Sequence, residues 1–135
     1  MPVTANEDAS YVASPANIAS LTDVVQRNPG DPQAYSMRGS VFGQAGRFQE
    51  AIADFDKAIS LDANYAQAYA NRGLLHRQEN QPDLALRDYD TALSIDPSYA
   101  AAHLGRGLAF RQKGEARKAL DDFNRAIAMQ PNSAQ

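Results

Sequence analysis

No cysteine occurs in the chain, which excludes disulfides, thiolate nucleophiles and sulfur-based zinc sites and leaves the redox compartment open. Histidine is nearly as scarce, with His76 and His103 alone, and no nucleophile–base–orienter set can be assembled from what remains. No apolar run reaches the roughly 18 residues that a membrane-spanning helix needs. The opening MPVTANEDASYVASP has neither a basic start nor an apolar stretch, so it does not read as a signal peptide. It is polar, rich in alanine and serine and without periodicity, and reads as a flexible lead-in over 1–14. An excess of positive charge is also missing, with 13 Lys and Arg against 16 Asp and Glu and a net charge of −3. Without a basic surface the chain has no long-range attraction to phosphate backbones, and nucleic acid is not an expected partner.

What the sequence does have is a period. Laid against itself at an offset of 34, it gives PQAYSMRGSVFGQAGRFQEAIADFDKAISLDANY from Pro32 and AQAYANRGLLHRQENQPDLALRDYDTALSIDPSY from Ala66. A third copy, AAAHLGRGLAFRQKGEARKALDDFNRAIAMQPNS, begins at Ala100. Seven columns are identical in all three copies, among them Arg38/Arg72/Arg106, Gly39/Gly73/Gly107, Gln44/Gln78/Gln112 and Asp54/Asp88/Asp122. Within each unit apolar positions recur at three and four, the helical spacing. Small residues such as Gly39, Ala51 and Ala58 fall where two helices must approach closely, and Tyr35, Phe42 and Phe55 fill the space between them.

Breaks at Gly46, Gln81-Pro82 and Gly114 divide each unit into two helices, expected at about 32–45 and 48–61, 66–79 and 82–95, and 100–113 and 116–129. Pro32 and Pro82 suit a first helical turn, where the missing N–H has no partner to lose. When two such helices fold back across a short turn, an Arg and the Asp sixteen residues later can meet. Three structural ion pairs are therefore predicted, Arg38–Asp54, Arg72–Asp88 and Arg106–Asp122, partly buried and hydrogen-bonded.

The pattern resembles the tetratricopeptide repeat (TPR) family, whose signature runs W-x2-L-G-x2-Y, then A-x3-F, then P. Its first part appears as Tyr35-x2-Arg38-Gly39-x2-Phe42, Tyr69-x2-Arg72-Gly73-x2-His76 and His103-x2-Arg106-Gly107-x2-Phe110. Its second appears as Ala51-x3-Phe55, Ala85-x3-Tyr89 and Ala119-x3-Phe123, with closing Pro97 and Pro131. The departures are Ala63 for a closing proline, histidine in two aromatic columns and Arg where the signature has Leu. The repeat style is similar to bacterial TPR proteins. The resemblance implies an all-α fold, a right-handed α-solenoid of antiparallel helix pairs, with repeats at 32–65, 66–99 and 100–133. Shifted by one period, Leu21 falls with Phe55 and Val24 with Ala58, so a half-repeat helix over 15–29, begun by Ser14-Pro15, is expected to cap the front.

At the other end, five residues follow Gln130, without the extra helix that usually covers the last unit in this family. Leu120, Ile127 and Met129 are then expected to be partly exposed, each wet side chain forfeiting roughly 1.5–3 kcal/mol. A homodimer through this end, or further repeats in a longer natural chain, would cover them.

Signs of chemistry are few. His76 and His103 occupy aromatic columns and read as packing residues. Gly105-Arg106-Gly107 begins like a phosphate loop but lacks a third glycine and falls mid-helix. Asp121-Asp122 and Asp54/Asp56 have no metal-loop pattern around them. No catalytic residue, metal site or cofactor is predicted.

Binding fares better. In TPR proteins the first helices line a concave groove, and the resemblance puts Met37, Ser40 and Gln44, Asn71, Leu74, Arg77 and Gln78, and Leu108, Arg111 and Gln112 on that wall. The glutamine column could bond a partner's backbone, and Arg77 and Arg111 present forked donors suited to carboxylates. Stretches 32–45, 66–79 and 100–113 hold six Arg or Lys against one Glu, whereas 48–62 and 82–96 each total −3. This suggests an acidic partner segment, although three of the cations are already assigned to aspartates. The family's clamp for acidic chaperone tails uses Lys and Asn, Asn, then Lys and Arg, at places held here by Ser36, Ser40, Asn71, Ala101 and Gly105. Only Asn71 matches, so that clamp is not expected.

The sequence thus predicts a non-catalytic scaffold that binds a protein or peptide. Two alternatives stay open: a self-assembly module using the last repeat, and the TPR segment of a larger exported bacterial protein or enzyme. The compartment follows that choice, cytoplasmic for a complete chain and periplasmic or lipoprotein-anchored for a fragment of an exported one.

Overall fold

The computed structural model describes residues 12–130, all of whose regular elements are helices. Most of the 1–14 lead-in, Pro131 and the last residues of the third repeat lie outside the described residues. The helices are α1 (Pro15–Arg27), α2 (Pro32–Gln44), α3 (Phe48–Leu61), α4 (Ala66–Gln78), α5 (Pro82–Ile95), α6 (Ala100–Gln112) and α7 (Ala116–Ala128). They form two compact units that divide between Ala63 and Asn64. Among the described residues no helix is long and apolar enough to cross a membrane.

Local chemistry fixes the helix ends. Pro15, Pro32 and Pro82 each stand in a first turn. Ser14 caps α1 by accepting from the Asn17 N–H at 3.2 Å, and Asp31 caps α2 by accepting from the Gln33 N–H at 2.9 Å.

The first helix of every pair ends the same way. Gly46 and Gly114 have φ of +77° and +80°, and Asn80, in the same column, has φ of +59°. Each closes a Schellman turn, in which one N–H reaches back three residues and the next reaches back five. In the first pair these are Gly46 N to Gly43 O at 3.1 Å and Arg47 N to Phe42 O at 2.9 Å. The second has Asn80 N to Arg77 O at 3.0 Å and Gln81 N to His76 O at 2.8 Å, and the third Gly114 N to Arg111 O and Glu115 N to Phe110 O, both at 2.9 Å. The middle break thus falls at Asn80, one residue before the expected Gln81-Pro82. Asparagine tolerates the left-handed conformation because its short amide bonds locally.

In the first unit, residues 12–63, α1 packs on α2 and α2 on α3. Ala51, Phe55 and Ala58 of α3 are buried together with Ala34, Gly39 and Phe42 of α2. Gly39 permits this approach, since a Cβ there would stand 3.1 Å from the Phe55 ring. In the second unit, residues 64–130, α4 pairs with α5 and α6 with α7, while α6 also packs on α5 and α4. Its core gathers Ala70, Ala85, Tyr89, Ala92, Leu93, Ala102 and Ala109, with Tyr69, Leu86 and Tyr99 half-buried against them. Alanines at full burial bring the helices close enough for one large ring, Tyr89, to reach across.

Candidate functional site

The Arg/Asp columns form one repeated structural device. Arg38 donates through Nε to Asp54 Oδ2 at 2.8 Å and through Nη2 to Oδ1 at 2.7 Å. Arg72 does the same to Asp88 at 2.9 and 2.7 Å, and Arg106 to Asp122 at 2.8 and 2.8 Å. All three aspartates are buried, Asp122 fully so. A bidentate fork offsets the desolvation that such burial imposes.

Asp122 Oδ1 accepts further from Arg125 Nη1 at 3.2 Å, and His103 Nδ1 lies 3.3 Å from the same oxygen. Burial pushes its carboxyl up, but the hydrogen bonds from Arg106, His103 and Arg125 outweigh it and hold it below the usual 3.8. His103 Nε2 lies 2.9 Å from the Pro97 carbonyl oxygen. His76 Nε2 is 3.6 Å from Asp88 Oδ2, and its buried Nδ1 has no partner.

A hollow of about 190 Å³ opens in the second unit between α4 and α6. Of the residues expected on the binding wall, Asn71, Leu74 and Arg77 line it from α4 and Leu108 from α6. Leu104, Ala101 and Gly105 complete the α6 side, and Tyr89 and Tyr99 close it. Tyr89 was legible in the sequence only as an aromatic of the repeat motif, and Tyr99 was not singled out. The signal that could have placed Tyr89 is the extra glycine of the third unit, since a Cβ at Gly105 would stand 2.4 Å from its ring. Gly105-Arg106-Gly107 is thus a packing feature that admits two rings, for a Cβ at Gly107 would stand 2.6 Å from Phe123.

The polar edge of the hollow is Asn71 and Arg77. The Arg77 guanidinium lies close enough to Tyr89 to temper the titration of its phenol, and among the described residues its buried Nε has no hydrogen-bond partner. Burial raises the Tyr89 phenol above its ordinary 10.0 despite that guanidinium.

Other expected wall residues fall elsewhere. Arg111 is exposed, with its guanidinium carbon 5.9 Å from the centroid of the Phe123 ring. Gln112 donates from Nε2 to the Arg77 carbonyl at 3.0 Å and to Asn80 Oδ1 at 3.2 Å. Its amide nitrogen therefore fastens the end of α6 to the end of α4, where a rung open to a partner's backbone was expected. Gln78 is exposed at the end of α4. In the first unit, Met37 and Gln44 of α2 are exposed and Ser40 is half-buried.

The basic character of the first helices is mostly spent internally. Arg38, Arg72 and Arg106 hold aspartates, and Lys113 holds Asp83 at 2.7 Å. Of the six cations counted in the sequence, Arg77 and Arg111 have no carboxylate partner among the described residues, and each lies near an aromatic ring.

On α7, Leu120 is 57% and Ile127 59% exposed, and Met129 is half-buried. One period earlier, their columns hold Leu86 and Leu93, which pack into the core of the second unit.

Known proteins share this architecture. Residues 70–134 match the family model described as tetratricopeptide repeat, and residues 39–79 match the model described as TPR repeat. Two crystal structures of MamA align at 30% identity, with TM-scores of 0.75 and 0.76. They cover 88% and 87% of this chain and 65% and 69% of theirs. The second TPR of Spaghetti, solved bound to HSP90 peptide SRMEEVD, aligns at 26% identity and a TM-score of 0.72, over 78% of this chain and 98% of that one. Hsp70-Hsp90 organizing protein 2 of Arabidopsis thaliana is 35% identical over 51 residues, 38% of this chain. The chain spans only 9% of the length of that curated relative.

Proposed function

The chain belongs to the tetratricopeptide repeat family, and from that premise we propose that it is a non-catalytic scaffold that holds a segment of a partner protein against its first helices. The observation that carries this reading is the hollow between α4 and α6, where four of the expected wall residues meet around open space. An acidic segment suits it best, because Arg77 and Arg111 are the first-helix cations without an aspartate to hold.

A relative solved with an HSP90 peptide makes chaperone tails the obvious ligand, but the clamp chemistry argues for a different segment. Ser36 is buried, and the Tyr89 ring covers Gly105, where the clamp needs a long cation. The test is a titration of labelled acidic peptides, SRMEEVD among them, against the full chain and the Arg77→Ala, Arg111→Ala double variant. Acidic peptides should bind the natural chain and lose affinity for the variant, with SRMEEVD among the weakest. Binding that survives both substitutions would end the acidic-segment reading.

A second reading is favoured by the exposed pair Leu120 and Ile127: self-assembly through α7. Leu120→Glu or Ile127→Glu should then lower the mass seen in sedimentation equilibrium, whereas a natural chain that is already monomeric removes it. Service as the TPR segment of a larger exported protein or enzyme is compatible with either reading.

A further inference from the structure

Two glycines admit Tyr89 into the heart of the second unit. A Cβ at Gly73 of α4 would meet its ring at 3.2 Å, and one at Gly105 of α6 would meet it at 2.4 Å. The ring is therefore wedged between two helix backbones and buried to 2% exposure, with the Arg77 guanidinium near its hydroxyl. Leu74, Leu104, Leu108 and Tyr99 stand around the space it leaves open. At about 190 Å³, that space falls below the roughly 300–1,000 Å³ of small-molecule sites. It has room for one side chain.

Arg77 is the unfinished part of this arrangement. Its guanidinium carries five donors, yet its nearest electrostatic neighbour is a neutral phenol, and among the described residues the buried Nε bonds nothing. A buried donor without an acceptor is costly, and a carboxylate would be a stronger, two-point partner than a phenol. The neighbouring cations Arg72, Arg106 and Lys113 already hold aspartates, so Arg77 is the cation lining the hollow with charge left to give.

We propose that the hollow is a socket for a single aliphatic or thioether side chain of a partner segment, and that Arg77 takes a carboxylate one or two residues away from that side chain. Tyr89, held against Gly105, sets the depth of the socket. The proposal rests on the partner-binding reading above and names the two-part feature that the partner must carry. Leu104, 46% exposed, supplies the apolar surface that the anchor would cover.

The test begins with a random heptapeptide phage library panned on the full chain. Enriched sequences should pair Leu, Ile or Met with Asp or Glu within two positions. In a fluorescence titration of such a peptide, the acid-to-amide change should lose about tenfold in affinity for the natural chain and nothing for Arg77→Gln. Replacing the anchor by Ala should cost about tenfold as well. Gly105→Ala should push the Tyr89 ring into the socket, so that the preference for the anchor vanishes while the preference for the acid persists. Should Gly105→Ala fail to fold, Leu108→Ala should instead widen the socket and shift the preference from Leu to Phe, and an unchanged preference would overturn the socket. Enriched peptides indifferent to both Arg77→Gln and Leu108→Ala would overturn the proposal and leave the scaffold reading standing. A library with no enrichment over an uncoated surface would remove both.

Discussion

His103 Nε2 stands 2.9 Å from the carbonyl oxygen of Pro97, and two periods earlier the Tyr35 hydroxyl donates to the carbonyl of Pro29 at 3.1 Å. The positions are equivalent, so an imidazole does here the work of a phenol, and its second nitrogen reaches Asp122 besides. His103→Tyr should keep the Pro97 bond in a column that already houses Tyr35 and Tyr69, and should cost under about 1 kcal/mol. His103→Phe removes both polar contacts and should cost about 2 kcal/mol. Urea unfolding of the two variants checks the order, and equal stability would show that packing alone sets this column.

Asp122 makes the fold acid-sensitive. Its carboxyl is held below 3.8 in the folded chain, so the unfolded chain takes up a proton first as the pH falls. The stabilisation is complete above the unfolded value of about 3.9 and is lost as pH drops through the lower folded value. Asp122→Asn should cost about 3 kcal/mol near neutral pH by stranding Arg106. The gap between the natural chain and the variant should then close below about pH 4 in urea midpoints taken across that range. A gap that persists at low pH would mean that the carboxylate charge is not what stabilises.

The Arg/Asp fork is expected to behave as a unit. Arg72→Leu strands Asp88 in the core and should cost about 3 kcal/mol, whereas Arg72→Leu with Asp88→Leu should recover most of that loss. The TPR signature has Leu in the Arg column, so an apolar residue is a natural occupant there. Thermal unfolding of the three proteins decides this, and additive losses would contradict it.

Asn80 offers a cleaner backbone test. Its φ of +59° costs an alanine roughly 1–2 kcal/mol, whereas glycine adopts it freely. Asn80→Ala and Asn80→Gly both lose the contact from Gln112, so the gap between them isolates the dihedral. Asn80→Gly should be the more stable by about 1 kcal/mol in urea unfolding.

The helices were readable because a period repeats its signals: Pro32 and Pro82 open helices, Gly46 and Gly114 close them, and three Arg/Asp spacings coincide. Asn80 was not, because glycine was the expected occupant of a left-handed position and a neighbouring Gln-Pro pair drew the break forward. In the hollow, Asn71, Leu74, Arg77 and Leu108 followed from the family's geometry, whereas Tyr89 did not. It belongs to a second helix, and its reach depends on two glycines 32 residues apart in the chain, Gly73 and Gly105. The contact that Gln112 makes within the fold was not legible for a related reason. Its amide partner is the main-chain carbonyl of Arg77, and main-chain partners leave no mark in side-chain patterns.

That amide also bears on how such chains are rebuilt. Because Gln112 grips both a carbonyl and the Asn80 carboxamide, α6 is stitched to α4 partly through an atom common to every residue and partly through one peculiar to Asn80. A graft that places another unit's glycine at that corner keeps the first stitch and drops the second. Versions of the chain in which that corner is exchanged should therefore retain the joint between α4 and α6 yet differ in its stiffness, according to the turn residue at position 80.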